Sequence, residues 1–166
     1  MQPPPQPSAA SEIDTTWAYV AWVLSLVATL GSLFLSDVLE LPPCSLCWYQ
    51  RVCLFPLTII LAVGIVLRDP RLLFYGMPLV AVGLVLALYH NLLYYGVIPE
   101  SLSPCQQGVP CSSRQIDWLG FIGIPLMSLG AFVSIGAALL LHGRNLKRAT
   151  ASHLEPPLST GSGKWP

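Results

Sequence analysis

Four of the five cysteines fall into two close pairs, Pro42-Pro43-Cys44-Ser45-Leu46-Cys47 and Pro104-Cys105-Gln106-Gln107-Gly108-Val109-Pro110-Cys111. Such a pair carries two electrons as thiols and gives them up on forming a disulfide, by exchange in which a thiolate attacks a disulfide sulfur. In the first pair the prolines end whatever precedes and suit the start of a helix. Cys47 then falls within the first turn, where free N–H groups and the positive end of the dipole favour a thiolate. Arg51 follows Cys47 at i+4 on the same helix face, with a charge that cannot be neutralised, and is expected to stabilise negative charge near the sulfur. The bland alternative is an Arg that snorkels to the headgroups. Its place beside the cysteine pair, as the only charge within any apolar run, favours a functional role.

The second pair encloses a short loop containing Gly108 and Pro110, a composition that turns the chain and brings two sulfurs together. A second redox pair and a plain structural staple both fit that loop. Zinc held by four cysteines is a third option, but closed zinc sites hold together folds that need the metal, which a helical bundle does not. No metal is therefore expected. Cys53, six residues after Cys47, points elsewhere on the helix and reads as a small buried hydrophobe. His90 lies inside an apolar run, where an ionisable group is a functional candidate by default, although an interhelical hydrogen bond alone would account for it.

The elements that must position these residues follow from composition. Of 166 residues, 54% are hydrophobic and only 10% charged, where a soluble domain carries about a quarter charged. That excludes an ordinary soluble domain. Eight basic against eight acidic residues leave no net charge, so no basic face exists to meet a nucleic-acid backbone. A membrane-crossing helix needs roughly 20 mostly apolar residues, and the runs 17–36, 48–67, 72–95 and 118–141 supply four. They are apolar on every face, as in 79–88, which fits helices and not the alternation of transmembrane strands. The expected fold is an all-α integral membrane protein, a four-transmembrane-helix bundle with two extracytoplasmic loops. Its membrane domain spans 17–148, with disordered tails at 1–16 and 149–166.

Arg68 and Arg71 lie between the second and third runs, and Arg144, Lys147 and Arg148 follow the fourth. By the positive-inside rule that side is cytoplasmic, which puts both termini in the cytoplasm and both cysteine pairs outside, where disulfides persist. No positive segment precedes the first run, so it is expected to be retained and not removed as a signal peptide. The glycines of the runs form no clean small-xxx-small series, and the packing order is not readable from them.

The motif Pro43-Cys44-Ser45-Leu46-Cys47-Trp48-Tyr49-Gln50-Arg51 is followed by His90, by Cys105 and Cys111, and by Arg114-Gln115-Ile116-Asp117-Trp118-Leu119-Gly120. Together they resemble the DsbB disulfide bond formation family over the whole bundle. The five-residue gap between Cys105 and Cys111 is similar to the shorter members. The resemblance implies a bacterial inner-membrane thiol oxidase that reoxidises a DsbA-like, thioredoxin-fold dithiol protein and delivers electrons to a quinone, ubiquinone or menaquinone. It further implies that Cys105 forms the mixed disulfide with that partner, that Cys111 passes electrons to Cys44, and that Cys47 faces the quinone. Arg51 and His90 would sit beside the quinone headgroup. Two rivals are a reductase of the vitamin K epoxide reductase type, whose pair usually sits later in the bundle, and a structural membrane protein whose loop disulfides are inert.

Overall fold

The structure is a computed structural model that describes residues 9–99, 111 and 123–154, with side chains for 16–99, 111 and 123–150. The described elements are all helical: α1 (Ala9–Leu33), continued by a π-helical turn (Phe34–Val38), then α2 (Ser45–Val66), α3 (Leu72–Tyr94) and α4 (Ile124–Leu154). Each contributes a stretch long and apolar enough to cross a membrane, namely Thr16–Val38, Ser45–Val66, Leu72–Tyr94 and Ile124–Thr150. The all-α, four-span bundle expected from composition is the fold observed.

Helix ends depart from the apolar runs because polar residues continue a helix outside hydrocarbon. α1 begins at Ala9, ahead of its apolar run, where Ala10 and Glu12 are good helix formers. α4 continues past Arg144, Lys147 and Arg148. α2 begins three residues before Trp48, because Cys44 serves as its cap. The expected start of the fourth span at Trp118 lies outside the described residues, as do the ends 1–8 and 155–166.

The helices close a ring in which α1 packs on α2 and α4, and α3 packs on α2 and α4. Leu57, Leu61, Phe132, Ile135, Leu139 and Ala87 fill the centre, while Val27, Val66, Phe74 and Val85 point outward. On a soluble protein that outer face would be an aggregation hazard, whereas lipid solvates it. With lipid as apolar as the core, close packing and interhelical hydrogen bonds must hold the ring. Gly83 supplies the first: a Cβ there would overlap the ring of Phe132, so α3 and α4 approach only because it is glycine. Thr29 and Thr58 supply the second, at 3.0 Å between α1 and α2.

α2 ends in a Schellman turn, in which Arg68 N–H donates to the Ile65 carbonyl and Asp69 N–H to the Gly64 carbonyl. Arg68 occupies the left-handed position of that turn, at φ 50°. α3 ends the same way with Gly96 at φ 74°, Gly96 N–H on Leu93 and Val97 N–H on Leu92. Up-and-down connectivity then gathers the end of α1, the start of α2, the end of α3 and the start of α4 at one end of the bundle.

Candidate functional site

That end carries a second, smaller buried cluster of Cys44, Leu46, Leu93 and Cys111, with Cys47, Tyr89 and Ile98 packed around it. Pro42 and Pro43 hold the chain extended up to Cys44, which has φ −69° and ψ 169° and takes the N-cap position of α2. Its Sγ accepts the Cys47 N–H at 3.5 Å and lies 3.1 Å from the Cys47 Sγ. Both are free thiols in the structure.

His90, in the last turns of α3, reaches the same sulfur: its Nε2 is 3.7 Å from Cys44 Sγ and 3.3 Å from the Cys111 carbonyl oxygen. Its Nδ1 lies 3.4 Å from the Gln50 amide nitrogen. An amide nitrogen only donates, so Nδ1 is the acceptor and Nε2 carries the proton, aimed at the sulfur and the carbonyl. The Cys47 thiol hydrogen bond is the largest influence on Cys44 and pulls its thiol well below the usual range. Burial opposes that shift, and the His90 hydrogen bond and the Cys47 backbone N–H reinforce it. The sequence expectation placed the favoured thiolate at Cys47. The structure gives the capping position, and with it the stabilised negative charge, to Cys44.

Cys111 is buried and disulfide-bonded, and its Sγ lies within 4.8 Å of both Cys44 Sγ and a His90 ring nitrogen. Cys105 lies outside the described residues. Asn91, next to His90, donates through Nδ2 to the Ala87 and Pro125 carbonyls, both at 2.8 Å. It thereby ties this end of α3 to the start of α4.

Arg51 is buried, at 8% exposure, so it does not snorkel. Its Nε donates to Ser32 Oγ at 2.7 Å and its Nη2 to the Ser32 carbonyl at 2.6 Å. Its guanidinium also lies 5.5 Å over the ring of Trp48. α1 widens into its π-helical turn just beyond Ser32, and such junctions loosen backbone pairing and recur at functional sites. Arg51 and His90, expected together at one headgroup, have different partners: Arg51 is bound to α1, and His90 to the cysteines. Cys53 joins the main apolar core, as expected of a small buried hydrophobe.

Two residues escaped the sequence reading. Gln50 had a signal, a polar amide inside an apolar run and in the same motif as the cysteines. Ser32 had none, because its role depends on α1 lying beside α2.

The profile of the family described as disulfide bond formation protein DsbB matches residues 14–142. Disulfide bond formation protein C of Bacillus subtilis (strain 168) is 40% identical over 117 residues, which cover 70% of this chain and 85% of that protein. A probable disulfide formation protein of Metapseudomonas resinovorans is 38% identical over 140 residues, 82% of this chain and 94% of the relative. Probable disulfide formation protein C 2 of Bacillus cereus (strain ATCC 10987 / NRS 248) is 40% identical over 116 residues, 70% of this chain and 83% of the relative. No solved structure matches the chain.

Proposed function

Because this chain belongs to the DsbB disulfide bond formation family, with a redox role in forming disulfides, we propose that it is a quinone-coupled thiol oxidase of the bacterial cytoplasmic membrane. Its cysteine end faces the periplasm or cell exterior, both termini lie in the cytoplasm, and its substrate there is the dithiol of a DsbA-like, thioredoxin-fold protein. The observation that carries the reading is the meeting, at one helix N-terminus, of Cys44, its hydrogen-bond partner His90, and Cys111 within 4.8 Å.

The chemistry runs as thiol–disulfide exchange. The partner's dithiol is oxidised and the Cys105–Cys111 pair reduced, through a mixed disulfide on Cys105. The Cys111 thiolate then attacks Cys44 Sγ of the oxidised first pair, and the Cys44–Cys47 bond breaks with Cys47 leaving as thiolate. Cys105 next attacks Cys111, the Cys44–Cys111 bond breaks, and Cys44 leaves as the thiolate. A lower leaving-group pKa speeds that step, and the N-cap geometry and the His90 Nε2–H supply it. Gln50 holds the imidazole in the required tautomer.

A quinone supplies the acceptor for the two electrons and two protons. The residues at the site fit such a group: Cys47 is the less buried member of its pair, and Trp48 and Tyr49 present exposed rings beside it. Among the described residues no carboxylate pairs with Arg51, which leaves its cation to hold negative charge in a low-dielectric setting. Cys47, Arg51 and Trp48 are the residues that would hold the quinone.

The test is quinone reduction, followed by absorbance, by the purified protein in detergent with a reduced thioredoxin-fold oxidase. Turnover that disappears in Cys47→Ser is the expected result. Absence of turnover with ubiquinone and menaquinone analogues, with all four outer cysteines locked in unreactive disulfides, would establish the inert structural reading instead.

A further inference from the structure

Cys44 Sγ, Cys111 Sγ and a ring nitrogen of His90 lie within 4.8 Å of one another, and the three residues are 7%, 5% and 2% exposed. Thiol exchange needs only the two sulfurs to meet. Two sulfurs and one imidazole converging in a buried pocket also form a donor set for a soft or borderline metal ion. The Cys44 Sγ to His90 Nε2 separation of 3.7 Å is close to the ~3.6 Å edge between sulfur and nitrogen ligands around tetrahedral zinc. Bringing Cys111 onto the same ion requires a shift of about 1 Å. One donor is withheld in the structure, since Cys111 is in a disulfide, and a disulfide sulfur is a poor ligand compared with a thiolate.

We propose that reduction of the Cys111 disulfide opens a site for one zinc or cadmium ion, held by Cys44 Sγ, Cys111 Sγ and His90 Nε2, and that the ion arrests the protein in its fully reduced state. The ion occupies the two sulfurs that must exchange with each other, so neither attacks nor leaves while it is bound. The surrounding residues suit the site as well. A metal-bound imidazole donates its other ring N–H to a carbonyl, and Gln50, now facing Nδ1 with its amide nitrogen, offers its amide oxygen after a half-turn of the amide group. Oxidation closes the site, because the Cys111 disulfide removes one ligand, and a Cys44–Cys47 disulfide removes another. The metal is thus an inhibitor admitted by one redox state and not a resident cofactor. The proposal rests on the functional reading only in requiring that the Cys111 disulfide be reducible.

The experiment titrates cadmium alone into detergent-solubilised full-length protein, reduced with a phosphine or left oxidised, and follows the thiolate-to-cadmium charge-transfer absorbance. X-ray absorption of the bound ion reports whether nitrogen is present in its shell. The expected result is one ion per reduced chain with sulfur and nitrogen ligands, and none on the oxidised chain. Cys111→Ser and His90→Gln should each weaken binding by about tenfold or more, and Cys53→Ala should leave it unchanged. Thermal unfolding of the reduced variants identifies any loss due to misfolding.

Binding that is indifferent to Cys111→Ser and His90→Gln would overturn the proposal, because the Cys44 and Cys47 thiols alone would then hold the ion. Failure of the reduced protein to bind, with all its thiols titrating normally, would overturn it too. Failure of the functional reading is separable: a chain that binds cadmium in the expected way yet never reduces a quinone contradicts only the assigned reaction.

Discussion

The two ends of α2 face the same need, to satisfy backbone groups that a helix terminus leaves unpaired, and they meet it with different chemistry. At the Val66 end, backbone carbonyls take the Arg68 and Asp69 N–H groups, and the Asp69 carboxylate accepts Arg71 N–H at 2.9 Å and Tyr75 O–H at 3.1 Å. No sulfur takes part there. At the other end the cap is a sulfur, which accepts the Cys47 N–H as serine would and, unlike serine, can form and break a disulfide. A group that caps as a thiolate leaves well from a disulfide, so in the proposed reaction the capping position and the reactive position are one. Substitutions at the cysteine end should therefore move reactivity, and those at the turn should move stability.

The largest expected effect is Cys44→Ser. Serine caps a helix at least as well as cysteine, so at a pH low enough to keep Cys44 protonated the reduced variant should unfold within a few degrees of the wild type, while quinone reduction at neutral pH falls by at least about a thousandfold. A large loss of thermal stability in this variant would mean that the sulfur is chiefly structural, and the contrast between the two ends would collapse.

His90→Gln comes next, with an expected loss of turnover of about 10- to 100-fold and a rise in the pH at which Cys44 ionises, read from ultraviolet thiolate absorbance of the reduced protein. Cys47→Ala should raise that midpoint further, because the Cys47 thiol is the largest influence on Cys44. The folded thiol ionises below its unfolded value, so its contribution to stability is complete above the unfolded value and vanishes as pH falls through the folded one. Reduced wild type should accordingly gain stability over Cys44→Ser as pH rises across that window. A flat difference would remove the charge from the cap.

At the turn, Asp69→Ala removes the acceptor of two hydrogen bonds and should lower stability by about 1 to 2 kcal/mol, measured by denaturant unfolding in micelles, with quinone reduction unchanged. A change in turnover would show that the two ends of α2 are coupled through the helix.

The same division explains what the sequence disclosed. Hydrocarbon imposes a composition over whole segments, so the four spans stand out in the runs from Trp17 to Leu141, and the local motif around Cys44 and Cys47 marks the candidate site. What stayed hidden are contacts between distant positions. Cys44 and His90 are 46 residues apart, and Arg51 and Ser32 are 19 apart. Each contact depends on which helices are neighbours. The glycines did not disclose that order because they work singly against large side chains, Gly83 under Phe132 and Gly64 under Leu72, and leave no periodic stripe. The assignment of the favoured thiolate to Cys47 placed the helix start correctly within a turn. It missed that a sulfur can itself be the cap.

The smallest effect has the opposite sign. Arg68 is held at φ 50°, where a side chain is strained and glycine is not, and its N–H donates to Ile65 whatever the side chain. Arg68→Gly relieves the strain but gives the unfolded chain more freedom, so the net expectation is a gain of about 0.5 to 1 kcal/mol. Replacing Gly96, which holds the same position after α3, with alanine should cost a similar amount, since it introduces that strain. Turnover should be unchanged in Arg68→Gly. The two measurements together locate the strain in the left-handed residue and not in arginine's charge: a loss of stability in Arg68→Gly would mean that its cation, on the side where positive residues collect, contributes more through lipid headgroups than its backbone costs.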